Sequence, residues 1–367
     1  MDEFPEGFDL AALLAPVPGD AAAGVDLRSD ASPQSLYYQL RDARAEARAA
    51  ERAMEADDAA SAPPPQWRTI RDLGIEAITG RSKDLEIAAW LTEALLRVDG
   101  LVGFTAGVRL MNGLVEGFWD DLFPLPDEDG IATRVGPVTG LNGQSGEGTL
   151  SQPLRRLPLF ERPDGAPMQF WQFEQSSELA AIVDPDRRQL RIDAGTVPFD
   201  TVENEAHAAG TDHFTVLRDQ AVAAGAAWRA LGEALDSRAG ADAPPTSRVR
   251  EILDRIATIA SRFASPDGAG PTDAAPGSEA AAASAPLVSG RAGAAALASR
   301  EEALRNLAAI ADFFRRTEPL SPLSYTLQEA VRRARMTWPD LLAEIVPDTG
   351  LRDQILTSLG IRPPPPE

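Results

Sequence analysis

The sequence predicts a mostly α-helical protein with an N-terminal helical domain, a helical middle region, a flexible Ala/Gly/Pro linker and a small C-terminal helical module. Three observations predict it. Alanine is abundant and aromatics make up only 6% of the chain, and alanine both favours helix and lets helices approach closely. Apolar residues recur at helical spacing in most segments. Clusters of proline and glycine punctuate those segments.

Residues 1–33 carry Pro16, Pro18, Gly19, Gly24 and Pro33, and read as a short helix around 8–14 followed by an irregular arm. A helix is expected over about 33–58. Leu36, Leu40, Ala43, Ala47, Ala50 and Met54 form one stripe on it, suited to a close helix neighbour. Arg41, Arg44, Arg48 and Arg52 form a second stripe among Asp42, Glu46, Glu51 and Glu55, and read as a solvated face held by helical ion pairs. Pro63, Pro64 and Pro65 end this helix. Further helices are expected over 66–79, 84–98 and 101–118. Glycines 103, 107, 113 and 117 in the last imply close helix contact to offset their helix cost of about 1 kcal/mol each. WDDLFPLPDEDG then closes the unit.

Residues 131–200 are the least periodic, and SELAAIVD and RQLRID suit short strands or helix pieces. Helices are expected over 212–236 and 246–264, then a linker over 265–292 with few large apolar groups. In the last module Leu304, Leu307, Ala311 and Phe314 form one stripe, and Leu323, Leu327, Val331 and Ala334 the next. Ser321 and Thr337 stand where helix caps belong, and a fourth helix carries Leu351, Ile355 and Leu359. The expected domains are therefore 1–160, 161–264, the linker 265–292, the module 293–362 and a tail 363–367.

The formal charge of −21 disfavours nucleic acid and anionic membrane surfaces as partners. Residues 293–367 hold 9 Arg against 10 Asp/Glu, so nearly all of that charge precedes the linker. The absence of cysteine removes disulfides, thiolate metal sites and cysteine nucleophiles, and fits a reducing compartment. The start MDEFPEGFD does not read as a secretory leader, and no apolar run is long enough for direct membrane insertion. Only His207 and His213 are present, in HAAGTDH, which reads as a loop with surface histidines. GQSGE lacks the second glycine of a nucleophile elbow, so Ser145 reads as a loop serine. No phosphate-binding glycine loop occurs, and DEDG lacks calcium-loop spacing. No catalytic, cofactor or metal site is assigned.

Two segments carry a family resemblance. VDLRSD (25–30), YYQLRDARAEARAAER (37–52), Trp67, SKDLEIAAWLTEALL (82–96), GLVGFTAGVRLMNGLVEGFWDDLFP (100–124), DEDG (127–130) with Arg134, LN (141–142) and LSQPLRRLPL (150–159) together resemble the N-terminal domain of the ImpA/TssA family of type VI secretion. SREEALRNLAAIADFFRRTEPLSPLSYTLQEAVRRARM (299–336) resembles the C-terminal module of its shorter, baseplate-associated members. The resemblance implies a cytoplasmic, non-enzymatic component that forms a homo-oligomeric ring through its C-terminal module. It implies baseplate, sheath and tube proteins as partners. Against the family's pattern, Leu320 stands where a histidine follows TEP, Glu329 reverses a charge and Arg333 replaces an aromatic.

The candidate oligomer or partner surface comprises Phe313, Phe314, Arg315, Arg316, Glu318, Pro319, Tyr325, Arg332 and Arg333. Adjacent Phe313 and Phe314 lie about 100° apart on a helix, so one can face the core and the other a second subunit; the plainer reading packs both within one chain. The arginines suit an interface through their planar fork, or are ordinary solvated side chains. The N-terminal family-motif residues are read as structural: Arg28, Arg44, Arg48, Arg52, Trp67, Asp84, Trp90, Trp119 and Asp120. Among them the tryptophans are expected in the core, and Arg28 is expected to pin the N-terminal arm by an ion pair. A helical scaffold or adaptor outside secretion is the alternative function. An enzyme with converging carboxylates is a third.

Overall fold

The computed structural model of the chain describes residues 4–56, 62–265, 300–317, 322–346, 348, 350 and 352. Asp9 starts the helical path, accepting the Ala12 amide at 3.1 Å and capping α1, Leu10–Leu14. The alanine-rich stripe folds as α2, Leu36–Ala56, whose Leu40 and Ala47 are fully buried. The three prolines separate it from α3, Gln66–Gly80, which buries Trp67, Ile70, Ala77 and Ile78.

The longest element is α4, Leu85–Phe118, broken at Gly100, where φ is +62° and only glycine is unstrained. The two halves fold back on one another. A Cβ on Gly107 would lie 2.5 Å from Thr92 Oγ1, whereas a straight helix would hold those residues about 22 Å apart. Gly113 admits Leu14 of α1 in the same way. Gly117 meets nothing within 4 Å, so close packing accounts for some of these glycines and not for all.

Beyond α4 come α5, Ile131–Asn142; α6, Ser151–Arg155; a two-stranded antiparallel hairpin of β1, Pro158–Glu161, and β2, Pro167–Gln169; and α7, Phe170–Ala180. The strands therefore lie outside both segments that suited strand or helix by sequence. SELA ends α7, and RQLRID lies in α8, Pro185–Asp193. α9, Phe199–Ala209, and α10, Thr211–Ala239, follow without the expected loop between the histidines. Gly210, with φ +91°, turns the chain directly from one helix into the next. α11, Ser247–Phe263, returns along α10.

One hydrophobic cluster spans these elements from Phe8 to Phe263. Phe104 and Trp228 meet at its centre with ring centroids 6.0 Å apart, and the Trp228 indole donates to the Thr246 carbonyl at 2.9 Å. An indole buried with its N–H satisfied adds apolar area without the cost of an orphaned donor.

The chain divides into two units, Met1–Ala275 and Pro276–Glu367. The second contains α12, Arg300–Thr317; α13, Pro322–Ala334; and α14, Trp338–Ile345. Leu304, Ala311, Val331 and Leu342 are its buried apolar residues among those described. Thr337 caps α14, accepting the Asp340 amide at 3.5 Å. The expected linker beyond Ser265, the helix around Leu351, Ile355 and Leu359, and the tail lie outside the described residues.

Gly107→Leu is expected to destabilise the protein by about 1–3 kcal/mol through overpacking against Thr92. Gly117→Ala, into open space, is expected to be neutral or stabilising by up to about 1 kcal/mol. Urea unfolding of the two variants beside the parent checks both.

Candidate functional site

The family-motif residues converge on the N-terminal end of α4. Asp84 caps that helix, accepting the amides of Glu86 at 2.8 Å and Ile87 at 3.2 Å, and is fully buried. Its carboxylate also receives the Arg28 guanidinium, at 2.7 and 3.2 Å. Arg28 further donates to Glu86 at 2.6 Å and Asp26 at 2.9 Å, and lies 5.0 Å from the Tyr37 ring centre. This ties the N-terminal arm to α4. Burial works against the charge on Arg28, but Asp84 and Glu86 outweigh it and hold its pKa above the ordinary value. Burial pushes the Asp84 carboxyl up, against the pull of Arg28.

Lys83, its neighbour, is also fully buried. Its ammonium donates to the carbonyls of Leu13 and Ile78, each at 2.7 Å, with the Phe118 ring centre 5.6 Å away. Burial pushes its pKa down to about 8.

Two further ion pairs join α2 to α4. Arg44 grips Glu93 with both ends of its fork, at 2.7 and 2.8 Å, and the Thr149 hydroxyl donates to the same carboxylate. Burial acts to raise Glu93, but Arg44 outweighs it and the carboxyl stays below its ordinary value. Glu51 accepts from Arg97 at 2.5 and 3.1 Å and from the Trp67 indole at 2.8 Å, while Arg97 lies 4.0 Å from the Trp67 ring centre.

The reading of the α2 arginines as a solvated face is corrected here. Arg44 points at a buried glutamate of another helix, and Arg48 is half-buried. Burial and the adjacent Arg44 hold Arg48 below its ordinary pKa. Arg52 is exposed. The complementary charges, Glu93 and Arg97, sit four residues apart on α4 and are matched to α2 only by the tertiary packing.

Trp67 and Trp90 are buried. Trp119 is half-buried at the edge of the core, its carbonyl accepting from Arg134 at 2.5 Å, and Asp120 beside it is exposed. Sequence reasoning placed Lys83, Glu93 and Arg134 in the motif segments but gave none of them a role. A charged residue within an otherwise apolar helical run, as Glu93 is within 85–96, was the available signal.

A cleft of about 430 Å³ opens over this network, lined by Arg28, Tyr37, Arg44, Trp90, Pro137 and Thr149 among others. Its carboxylates are committed to arginines, hydroxyls or helix amides, so the arrangement joins helices. No group of three metal-ligating side chains occurs among the described residues. His213 lies 2.6 Å from the Leu159 carbonyl, and His207 rests edge-on to Phe263.

In the C-terminal unit the side chains of Phe313 and Phe314, and residues Glu318, Pro319 and Leu320, lie outside what is described. Arg315, Arg316 and Tyr325 are exposed. Arg332 and Arg333 both pair with Glu329, at 2.5 and 2.9 Å, and with Glu344 of α14. Hydrogen bonding from Arg332 holds Glu329 down to about 2. Two of the three departures from the expected pattern, Glu329 and Arg333, are thus partners of one another one helical turn apart.

Arg44→Met leaves Glu93 buried without its cation and is expected to cost about 3–5 kcal/mol in denaturant unfolding. Because the folded carboxyl lies below its ordinary 4.5, the gap between parent and variant is full above that pH. It should shrink as pH falls through the folded value. Lys83 gives a slope of the same sign in a higher pH window. Between about 8 and its ordinary 10.5 the unfolded chain binds more protons than the folded one, so this group adds stability as pH rises. Lys83→Met should remove that rising slope in melts taken from pH 7.5 to 10.5.

Residues 14–143 match the family described as ImpA, N-terminal, type VI secretion system. The chain is 29% identical over 356 residues to the type VI secretion system component TssA1 of Pseudomonas aeruginosa, covering 93% of this chain and 95% of that protein. The solved N-terminal domain of the TssA component from Burkholderia cenocepacia, which includes the conserved ImpA_N region, superposes with a TM-score of 0.58 at 27% identity, covering 72% of this chain and 96% of that one. No helix among the described residues is long and apolar enough to cross a membrane. A shared architecture and alignment along nearly the whole length of a curated relative lead to one conclusion: residues 14–143 are an ImpA N-terminal domain of the type VI secretion kind, and the chain as a whole is similar to TssA components of that system.

Proposed function

We propose that the chain is a structural, non-catalytic assembly component. It forms a homo-oligomeric ring at the baseplate of the secretion apparatus, on the cytoplasmic side, and helps to assemble tail tube and contractile sheath. The observation that carries this reading is the alignment with a curated TssA1 over 93% of the chain, including the separate C-terminal unit. In this reading residues 293–362 are the oligomerisation module and the N-terminal unit meets baseplate, sheath and tube proteins.

Two features support it. The charges in the N-terminal cleft pair with each other, which suits a rigid arm. The C-terminal unit presents Arg315, Arg316 and Tyr325 on its surface, residue types enriched at interfaces. Arg332 and Arg333 are spent on holding α13 to α14, so Arg315 and Arg316 are the better candidates for contact with another subunit.

The full-length chain is expected to run as a large, defined oligomer in sedimentation, and the form ending at residue 264 as a monomer. A monomer in both forms would move the weight to a helical adaptor outside secretion. Arg315→Glu with Arg316→Glu should lower the oligomer's mass or its affinity at least tenfold. Assembly unchanged by that double reversal would remove these arginines from the interface.

A further inference from the structure

Arg48 is half-buried on α2, and among the described residues it forms no ion pair and no hydrogen bond. Its charged neighbours are Arg44, Arg52 and Arg97, with Glu93 the one anion among them. Glu93 is already gripped by Arg44, and Glu51 by Arg97. Around Arg48, arginines therefore outnumber carboxylates, in a chain whose formal charge is −21. The remaining acids of α2 do not make up the difference. At about 100° per residue, Asp42 and Glu46 fall roughly 120° and 160° away from Arg48 around the helix, and Glu55, in line with it, stands about 10 Å further along. A guanidinium so placed keeps its donors for an anion from outside the fold.

Two clefts follow one another along α4, with Arg48 between them. The 430 Å³ cleft has Trp90 and Glu93 of α4 on its floor, Tyr37 and Arg44 of α2 on one side, and Gly136 and Gly140 of α5 on the other. The next, of about 570 Å³, is lined by Leu96 and Arg97 of α4, Glu51 and Met54 of α2, and Gln152 and Pro153 of α6. Thus α2 walls both clefts on one side, and the chain from α5 to α6 walls them on the other. Tyr37 and Arg44 lie within about 40° of Arg48 around α2, so Arg48 belongs to the wall that faces this groove. The floor runs from Glu86 to Gly100, about 21 Å of helix, which is the length of about six extended residues. The α5 wall is cut back. A Cβ on Gly136 or Gly140 would meet nothing within 4 Å, so packing does not require glycine at either position, although glycine weakens a helix.

We infer that this groove takes an extended acidic segment of a partner protein, with a carboxylate on Arg48 and an apolar or aromatic side chain in the cleft over Trp90. The chemistry selects that occupant. The unpaired charge is cationic, and a guanidinium fork matches a carboxylate. Tyr37, Trp90 and Pro137 in one cleft, and Trp171 with several prolines in the other, offer apolar surface to side chains on either side of that carboxylate. A polyphosphate backbone is repelled by the negative charge of the whole chain, whereas a short peptide with few carboxylates meets mainly the local excess of arginine. The walls are already fixed by the Arg28 and Arg44 ion pairs, so little ordering is needed on binding. The inference rests on the reading above in which the N-terminal unit meets other proteins, and it names the chemistry of the segment met.

The probe is a fluorescein-labelled synthetic peptide of about ten residues, aspartate alternating with leucine around a central phenylalanine, with an asparagine-for-aspartate copy as its control. Fluorescence anisotropy with the full-length chain should show the acidic peptide binding about tenfold or more tightly than the copy. Arg48→Glu should weaken it by about tenfold or more, and Gly140→Leu, which fills the cleft without meeting a packed atom, by about fivefold. Arg48→Gln should weaken it too while leaving the urea midpoint of unfolding unchanged or raised, since Arg48 has like charges around it and no partner. No binding, equal binding of the two peptides, or binding indifferent to Arg48→Glu or to Gly140→Leu overturns the proposal. So does a lowered midpoint with Arg48→Gln, which would mean that the fold itself uses this side chain. Sedimentation of the same samples keeps the two readings apart. An oligomer that ignores the acidic peptide overturns the groove and leaves the assembly reading standing, whereas a monomer that binds it overturns the ring and leaves the groove.

Discussion

Residues 82–85 carry the constraint on which the rest of the N-terminal unit depends. Lys83 and Asp84 are opposite charges, adjacent and fully buried, yet their side chains do not pair with each other. Each is neutralised by helix ends. Lys83 takes carbonyls from the last turns of α1 and α3, where unsatisfied acceptors carry partial negative charge. Asp84 takes amides at the first turn of α4, where the partial charge is positive, and then captures Arg28 from the N-terminal arm. The backbone of the same segment bonds to Ala23 on one side and Phe123 on the other. Four stretches distant in sequence are thereby fixed around one buried point, and the folded-back α4 supplies the scaffold.

Much of this was legible in the sequence. Apolar spacing placed the main helices, proline and glycine marked their breaks, and Thr337 was identifiable as a cap from the residues that follow it. What sequence alone did not reveal shares one physical cause: partners set by tertiary contact. The arginines of α2 have acids at helical spacing on their own helix, so local pairing was the natural reading. The folded chain instead matches Arg44 to Glu93 and Glu51 to Arg97 across two helices. The hairpin of β1 and β2 is too short for alternation to stand out. The Gly210 turn hid α9 behind a loop-like string, although the helix after it was expected from 212. Lys83 looked like an ordinary flanking charge because its acceptors, Leu13 and Ile78, are backbone carbonyls that no side-chain pattern reveals.

The distribution of charge follows a division of labour. The N-terminal unit carries nearly all the acidic excess, yet its interior carboxylates are bound to arginine or amide, so the excess lies on its surface, as at Asp120, Asp121 and Glu128. The C-terminal unit is close to neutral, and its four-membered cluster of Glu329, Arg332, Arg333 and Glu344 closes on itself. Departures from the family pattern there compensate each other: a reversed charge at 329 meets a new arginine at 333. Arg315, Arg316 and Tyr325, which stay exposed, are outside that closed cluster.

The measurement that bears most directly on the account is a structure of the purified full-length protein by electron cryo-microscopy. The account predicts a closed ring in which every subunit contact includes the C-terminal unit, with the N-terminal units arrayed around it. Particles that are monomeric, or assemblies whose contacts leave the C-terminal units apart, would contradict it.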